Sequence, residues 1–229
     1  MNPLLVKEFN RQYDCESKYQ SLLTLIREEI LLYQPWLKML DNLKRDREHC
    51  GKIYAGALHA PAGKGNHHAY PGGWLDHVLE MWQVYKMWQK SGLLDKDQIF
   101  CESERVFKGI ILHDLHKTLY EFYYTETEAG TVSFDYGNHS FKNLITNNFQ
   151  SLYIANNFGI QLDPLDLNCL TCSEGGYAKD PPKFQSVLAK LVYLLDEISS
   201  NVISRNKTKT FLNVKESYTE NVWKEINPL

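Results

Sequence analysis

The stretch Ile110-Ile111-Leu112-His113-Asp114-Leu115-His116-Lys117 decides how the rest of the chain is read. Three apolar residues run straight into an imidazole and a carboxylate, and a second imidazole and an ammonium follow one turn later. Helix positions three and four apart share a face, so the spacing predicts that His113, His116 and Lys117 project together with Asp114 on the flank. Charges taken out of water without partners cost several kcal/mol, and such groups therefore pair with one another or bind a metal. A plainer reading is a helix C-terminus, where His and Lys suit the dipole. The octet by itself leaves both readings open.

Helical periodicity extends on both sides of it. Residues 17–33 place Leu22, Leu23, Leu25, Ile26, Ile30 and Leu31 at helical spacing, and Pro35 ends or kinks that helix. Trp36, Leu37, Leu40 and Leu43 continue the apolar stripe before a charged stretch over residues 44–48. A second helix restarts at Trp74, with Val78, Met81, Trp82, Tyr85 and Trp88 on one stripe and His77 near its beginning. The octet closes a helix predicted over residues 103–117. Tyr120, Phe122 and Tyr124, then Val132, Phe134 and Tyr136, alternate on either side of Glu128-Ala129-Gly130, which predicts a β-hairpin. Helices are expected from Asn138 to about residue 154 and near residues 165–172. The last strong helix is expected over residues 184–204, where Val187, Leu188, Leu191, Val192, Leu194, Leu195 and Ile198 make it apolar nearly all round and so central. Asp196 lies inside that run and needs a partner.

Between the first two helices, residues 56–73 crowd Gly56, Pro61, Gly63, Gly65, Pro71, Gly72 and Gly73 into one loop with His59, His67 and His68. Such glycine density marks turns or close backbone approach to a ligand. The economical fold is mainly α: one compact helical bundle with a small β-hairpin. Its parts are a helical preface over residues 1–54 packed on the core, the bundle proper over 55–204 and a peripheral tail over 205–229.

Bulk composition narrows the function. Of 229 residues, 43% are hydrophobic and 23% charged, which suits a globular chain with a buried core. Lysine and arginine number 25 against 28 acidic residues, and the formal charge of -3 argues against a broad nucleic-acid surface. Five scattered cysteines, at positions 15, 50, 101, 169 and 172, include one C-x-x-C pair with no second pair to complete a zinc site; reduced thiols in the cytoplasm are the expectation. Residues 7–18 are too polar for a secretory leader, and no apolar run approaches a bilayer span of about 20 residues.

Three predicted helices thus each carry a metal-capable group at an apolar position: His77, then His113 with Asp114, then Asp196. Each has its own plain explanation as a satisfied core residue. Together they offer two imidazoles and two carboxylates, a donor set suited to one divalent Mn, Fe, Co, Ni or Mg ion. The order His, then His-Asp, then Asp resembles the HD superfamily of metal-dependent phosphohydrolases. The similarity is closest to the HD domain of bacterial 3′-to-5′ exonucleases and related mobile-element HD proteins. It rests on His67-His68-Ala69-Tyr70-Pro71-Gly72-Gly73-Trp74-Leu75-Asp76-His77, on Leu112 to Lys117, on Gly137-Asn138-His139 and on Leu194-Leu195-Asp196-Glu197-Ile198, and it covers roughly residues 55–204.

The resemblance implies that His77, His113, Asp114 and Asp196 hold a first metal. It also implies that Asp114 reaches a second, weaker one with His139, and that Lys117 contacts a substrate phosphate. Asp114, Lys117 and His116 are then the catalytic candidates. His116 stands where the family prefers glycine, and it reads either as a general acid–base or as a packing residue. A histidine pair that supports the second metal in the family is missing here: the corresponding stretch is Leu170-Thr171-Cys172-Ser173-Glu174-Gly175, where Glu174 or a water would have to substitute. His68 and Tyr70, with Glu174, are candidates to line the substrate mouth. The implied activity is hydrolysis of a phosphoester. The absence of room for a separate nucleic-acid module, and the mild acidity, favour a small nucleotide over a long polymer. The alternatives are an exonuclease-like phosphodiesterase, a non-catalytic nucleotide-binding HD module and a di-iron HD-fold oxygenase. No membrane partner is expected, and a homo-oligomer through the Trp-rich helices stays open.

Overall fold

A computed structural model describes residues 9, 11–63, 67–94, 102–126, 132–137, 146–172 and 185–203. The chain is mainly helical with a small antiparallel sheet. In order, the elements are α1 (Cys15–Glu29), α2 (Gln34–Leu43), β1 (Arg47–His49), β2 (Lys52–Tyr54), α3 (Gly73–Ser91) and α4 (Ser103–His113). A 3-10 helix over Leu115–Leu119, β3 (Glu121–Glu126), β4 (Val132–Tyr136), α5 (Asn147–Asn157), α6 (Pro164–Cys172) and α7 (Val187–Glu197) follow, and α7 runs on into a wider π-type turn over Ile198–Ile203.

One apolar core joins the N-terminal helices to the rest: Leu22, Ile26, Trp36 and Leu40 belong to the same buried cluster as Trp74, Phe107, Ile110 and Leu195. Pro35 opens α2 from its first turn, where the missing N–H is no loss and the fixed φ suits a helix. Two polar ties meet on Asp76 of α3, one from α1 and one from the loop that precedes α3. Lys18 Nζ lies 2.9 Å from Asp76 Oδ2, and Tyr70 Oη donates to the same oxygen at 2.8 Å. Asp76 is fully buried, so both ties act where water does not compete.

The sheet runs β1-β2-β3-β4, all antiparallel. Its second half is the predicted hairpin, with Phe122 opposite Tyr136 and both side chains buried. Its first half was hidden in the charged stretch. Those strands are three residues each and turn at Cys50 and Gly51, both with positive φ, the backbone of a tight hairpin turn. With no apolar alternation in β1, only the turn residues could have signalled it.

Two helices differ from their expected form. The most enclosed is α3, buried continuously from Gly73 to Trp82, rather than the final helix. One face of α7 packs against α3, α4 and α6, while Val187 and Leu194 point outward, so its apolar character exceeds what the core uses. The helix carrying the octet ends at His113. Asp114 leaves helical geometry at φ -120 and ψ 12, and the chain continues as the 3-10 helix. His59 is buried with Nδ1 2.7 Å from Asp46 Oδ2, and Trp82 packs on Tyr85 and Phe107 as a core residue. Cys15, Cys50, Cys169 and Cys172 are free thiols. Among the described residues no helix is long and apolar enough to cross a membrane.

Candidate metal centre

The break at Asp114 builds the site. In an unbroken helix, neighbouring residues diverge by roughly 100° around the axis. Leaving the helix immediately after His113 instead lets the two side chains converge, with His113 Nε2 3.6 Å from Asp114 Oδ2. From α3, His77 meets them: its Nε2 lies 3.2 Å from His113 Nε2 and 3.9 Å from Asp114 Oδ2. From the end of α7, Asp196 places Oδ1 3.1 Å from His77 Nε2. Three helices separated in sequence thus bring two imidazoles and two carboxylates to one place.

Hydrogen bonds on the far side of each ring assign the tautomers. His113 Nδ1 lies 2.6 Å from the backbone oxygen of Ile110 and must donate to it, which leaves Nε2 as a lone pair. His77 Nδ1 lies 2.9 Å from Ser199 Oγ, and that hydroxyl donates to Glu80 Oε2 at 2.9 Å. The hydroxyl hydrogen is committed to the carboxylate, so His77 Nδ1–H donates to the oxygen and Nε2 is again a lone pair. Two lone pairs 3.2 Å apart, flanked by two carboxylates, repel unless a cation lies between them. This donor set fits a divalent metal. Separations of 3.1–3.2 Å are spanned by two bonds of about 2.1 Å meeting at about 100°, close to the ligand angles of common geometries.

Without a metal a proton is the available cation. Burial works to lower the pKa of His77, but the hydrogen bond to Asp196 and the charges of Asp196, Asp114 and Glu80 outweigh it and raise the value. Asp196 is held below its ordinary range despite burial, chiefly by His77. Asp114 is also held low against burial, by the charges of Lys117, His113, His116 and His77. Lys117 Nζ lies 3.7 Å from Asp114 Oδ1 and 5.3 Å from the centre of the Tyr120 ring. Burial opposes its charge, yet Asp114 and Tyr120 raise its pKa, so the ammonium persists across physiological pH.

The remaining candidates are placed differently. His116 does not project with His113; it is buried at 1% exposure with its ring edge-on to Tyr120 and its backbone N–H on Ser151 Oγ. The 3-10 helix turns it off the α4 face. His68 and Tyr70 do not line an open mouth. Both are buried, His68 with Nε2 3.0 Å from Glu80 Oε2 and Tyr70 bonded to Asp76, because the glycine loop folds inward over α3. His139 and Glu174 lie outside the described residues.

Three participants went unrecognised in the sequence. Glu80 sits one turn after His77 in an otherwise apolar stripe, and that misplaced charge was its signal. His67, beside His68, joins it and His77 in a group whose ligand atoms lie within 4.8 Å of one another. Ser199 carried no signal, since it depends on the wider turn that ends α7. Compared with protein-family models, with curated proteins and with solved structures, the chain matches none.

Proposed function

We propose that the chain is a divalent-metal-dependent phosphohydrolase of the HD type, acting on a phosphoester of a small nucleotide. The observation that carries this reading is the convergence of His77, His113, Asp114 and Asp196 from three helices, with the Lys117 ammonium 3.7 Å from Asp114. When bound, a divalent ion supplies a Lewis acid for a phosphoryl oxygen and lowers the pKa of water. The four side chains would hold it, and the Ser199–Glu80 pair would keep His77 in the ligating tautomer. Lys117 stands beside the ligands as a fixed positive charge, suited to a phosphate oxygen. His113 is anchored by its backbone bond to Ile110, so the centre is organised before substrate arrives.

The mild acidity of the chain supports a nucleotide over a long polymer, whose affinity would rest on phosphate neutralisation. The test is metal content of protein purified without chelator, beside phosphate release from a panel of nucleotides and oligonucleotide ends, with Asp114→Ala as the comparison. Bound metal with turnover of nucleotides, both lost in the variant, is the expected result. Turnover of oligonucleotide ends alone would move the substrate to nucleic acid. No metal, and no turnover after adding Mn, Co, Ni or Mg, sinks the proposal.

A further inference from the structure

The loop that precedes α3 carries a second group of imidazoles that the centre described above does not use. His67 Nδ1 lies 3.2 Å from His68 Nδ1, and both rings sit 5.2 Å, centre to centre, from the ring of His77. We propose that His67 and His68 hold a second divalent metal ion through these two Nδ1 atoms, beside the first position.

Two observations meet here. The bond from His68 Nε2 to Glu80 Oε2, at 3.0 Å, puts the proton on Nε2 and leaves Nδ1 as a lone pair aimed at His67. A carboxylate behind a ligating imidazole is the arrangement that fixes ring orientation and raises ligand basicity. The separation of 3.2 Å matches that between His77 and His113, and two metal–nitrogen bonds of about 2.1 Å span it at about 100°.

The backbone is bent to make the pair. His68 has φ 44, the left-handed region that a non-glycine residue adopts at a cost. Gly63 and Gly73 have no room for a side chain, because a Cβ would come within 2.7 Å of the His67 oxygen and 1.9 Å of the His68 oxygen. Strained backbone of this kind clusters at active sites and ligand clamps.

Two neutral imidazole nitrogens suit borderline ions such as Zn, Co, Ni or Fe, and they discriminate against Mg and Ca, which prefer oxygen. The remaining coordination places are left for water or a substrate oxygen. The ion is therefore expected to bind more weakly than the first.

The experiment is metal counting on the chelator-stripped full chain, dialysed against Zn(II) or Co(II), for wild type, His67→Ala and His67→Cys. Two equivalents in wild type and one in His67→Ala is the expected result. In Co(II)-loaded His67→Cys, two equivalents and a new thiolate-to-cobalt charge-transfer band are expected, and this variant decides the matter if the alanine form does not fold. Equal counts in wild type and His67→Ala overturn the proposal, as does a single equivalent in wild type or the absence of the band. The count is read without substrate. A protein that binds both ions but releases no phosphate would refute the hydrolase reading and leave this one standing.

Discussion

Glu80 Oε2 lies 2.9 Å from Ser199 Oγ and 3.0 Å from His68 Nε2, so one buried carboxylate oxygen fixes the proton positions of two histidines. Through the Ser199 hydroxyl it acts on His77, and directly it acts on His68. Removing such partners behind ligating imidazoles costs about 10–100-fold in metal affinity. Ser199→Ala is expected to weaken the first metal by about that factor, and Glu80→Gln to weaken both positions. Competition titration with a chromophoric chelator reads the affinity, and 15N chemical shifts of the His77 ring read the tautomer. Unchanged affinity with an altered tautomer population would show that the relay orients nothing the metal needs.

Lys117 gives a prediction of opposite character. It stands next to Asp114 but offers no lone pair while its raised pKa keeps it charged. Lys117→Met, which preserves much of the stem, is expected to leave metal content unchanged. A charge-assisted hydrogen bond contributes about 1.5–3 kcal/mol, so kcat/KM should fall by roughly 10–100-fold once a turned-over substrate is known. Loss of metal in this variant would mean that Lys117 serves to hold Asp114 in place and not to meet a phosphate.

The helices, the hairpin and the four converging side chains were legible because each leaves a periodic or misplaced-charge signal. Trp74 to Trp88 shows the apolar rhythm of a helix, Phe122 and Tyr136 alternate as strands do, and Asp196 sits in a run where a carboxylate needs a reason. What the sequence concealed is angular. Whether Asp114 flanks His113 or converges with it depends on one pair of dihedrals, and an unbroken helix was the natural expectation. The same change carried His116 into the interior beside Tyr120. His68 read as a lining residue of the substrate mouth because nothing in Gly72-Gly73 announces that the loop folds inward to meet Glu80.

Gly73 tests that inward fold. An added Cβ would sit 1.9 Å from the His68 oxygen, in contact with backbone that cannot rotate away. Overpacking of this kind costs about 1–3 kcal/mol, and here the strain is directed at His68. Gly73→Ala is expected to lower the urea midpoint and to weaken metal binding together. A stability loss with metal affinity intact would separate the loop from the centre.

Asp163 offers a test of stability away from the site. It caps α6: Oδ1 accepts from the backbone N–H of Leu165 at 2.8 Å and of Asp166 at 3.0 Å, while Oδ2 faces Arg105 on α4. Burial acts to raise its pKa, but the backbone N–H groups and Arg105 outweigh it and the value is lowered. A carboxyl with a lowered folded pKa contributes stability that is present above its unfolded pKa of about 3.9 and disappears as pH falls through the folded value. The carboxylate is 40% exposed, so the Arg105 attraction is screened and the cap is the larger part. Asp163→Ala is expected to cost about 1 kcal/mol near neutral pH, and Asp163→Asn, an equally good cap, much less. Urea unfolding of the three proteins at neutral pH and again below about pH 3 reads both effects: the gap between wild type and Asp163→Asn should close on acidification, and the gap between Asp163→Asn and Asp163→Ala should not. If Asp163→Asn is no more stable than Asp163→Ala at neutral pH, the stabilisation lies in the charge of Asp163 and not in the hydrogen bonds that begin α6.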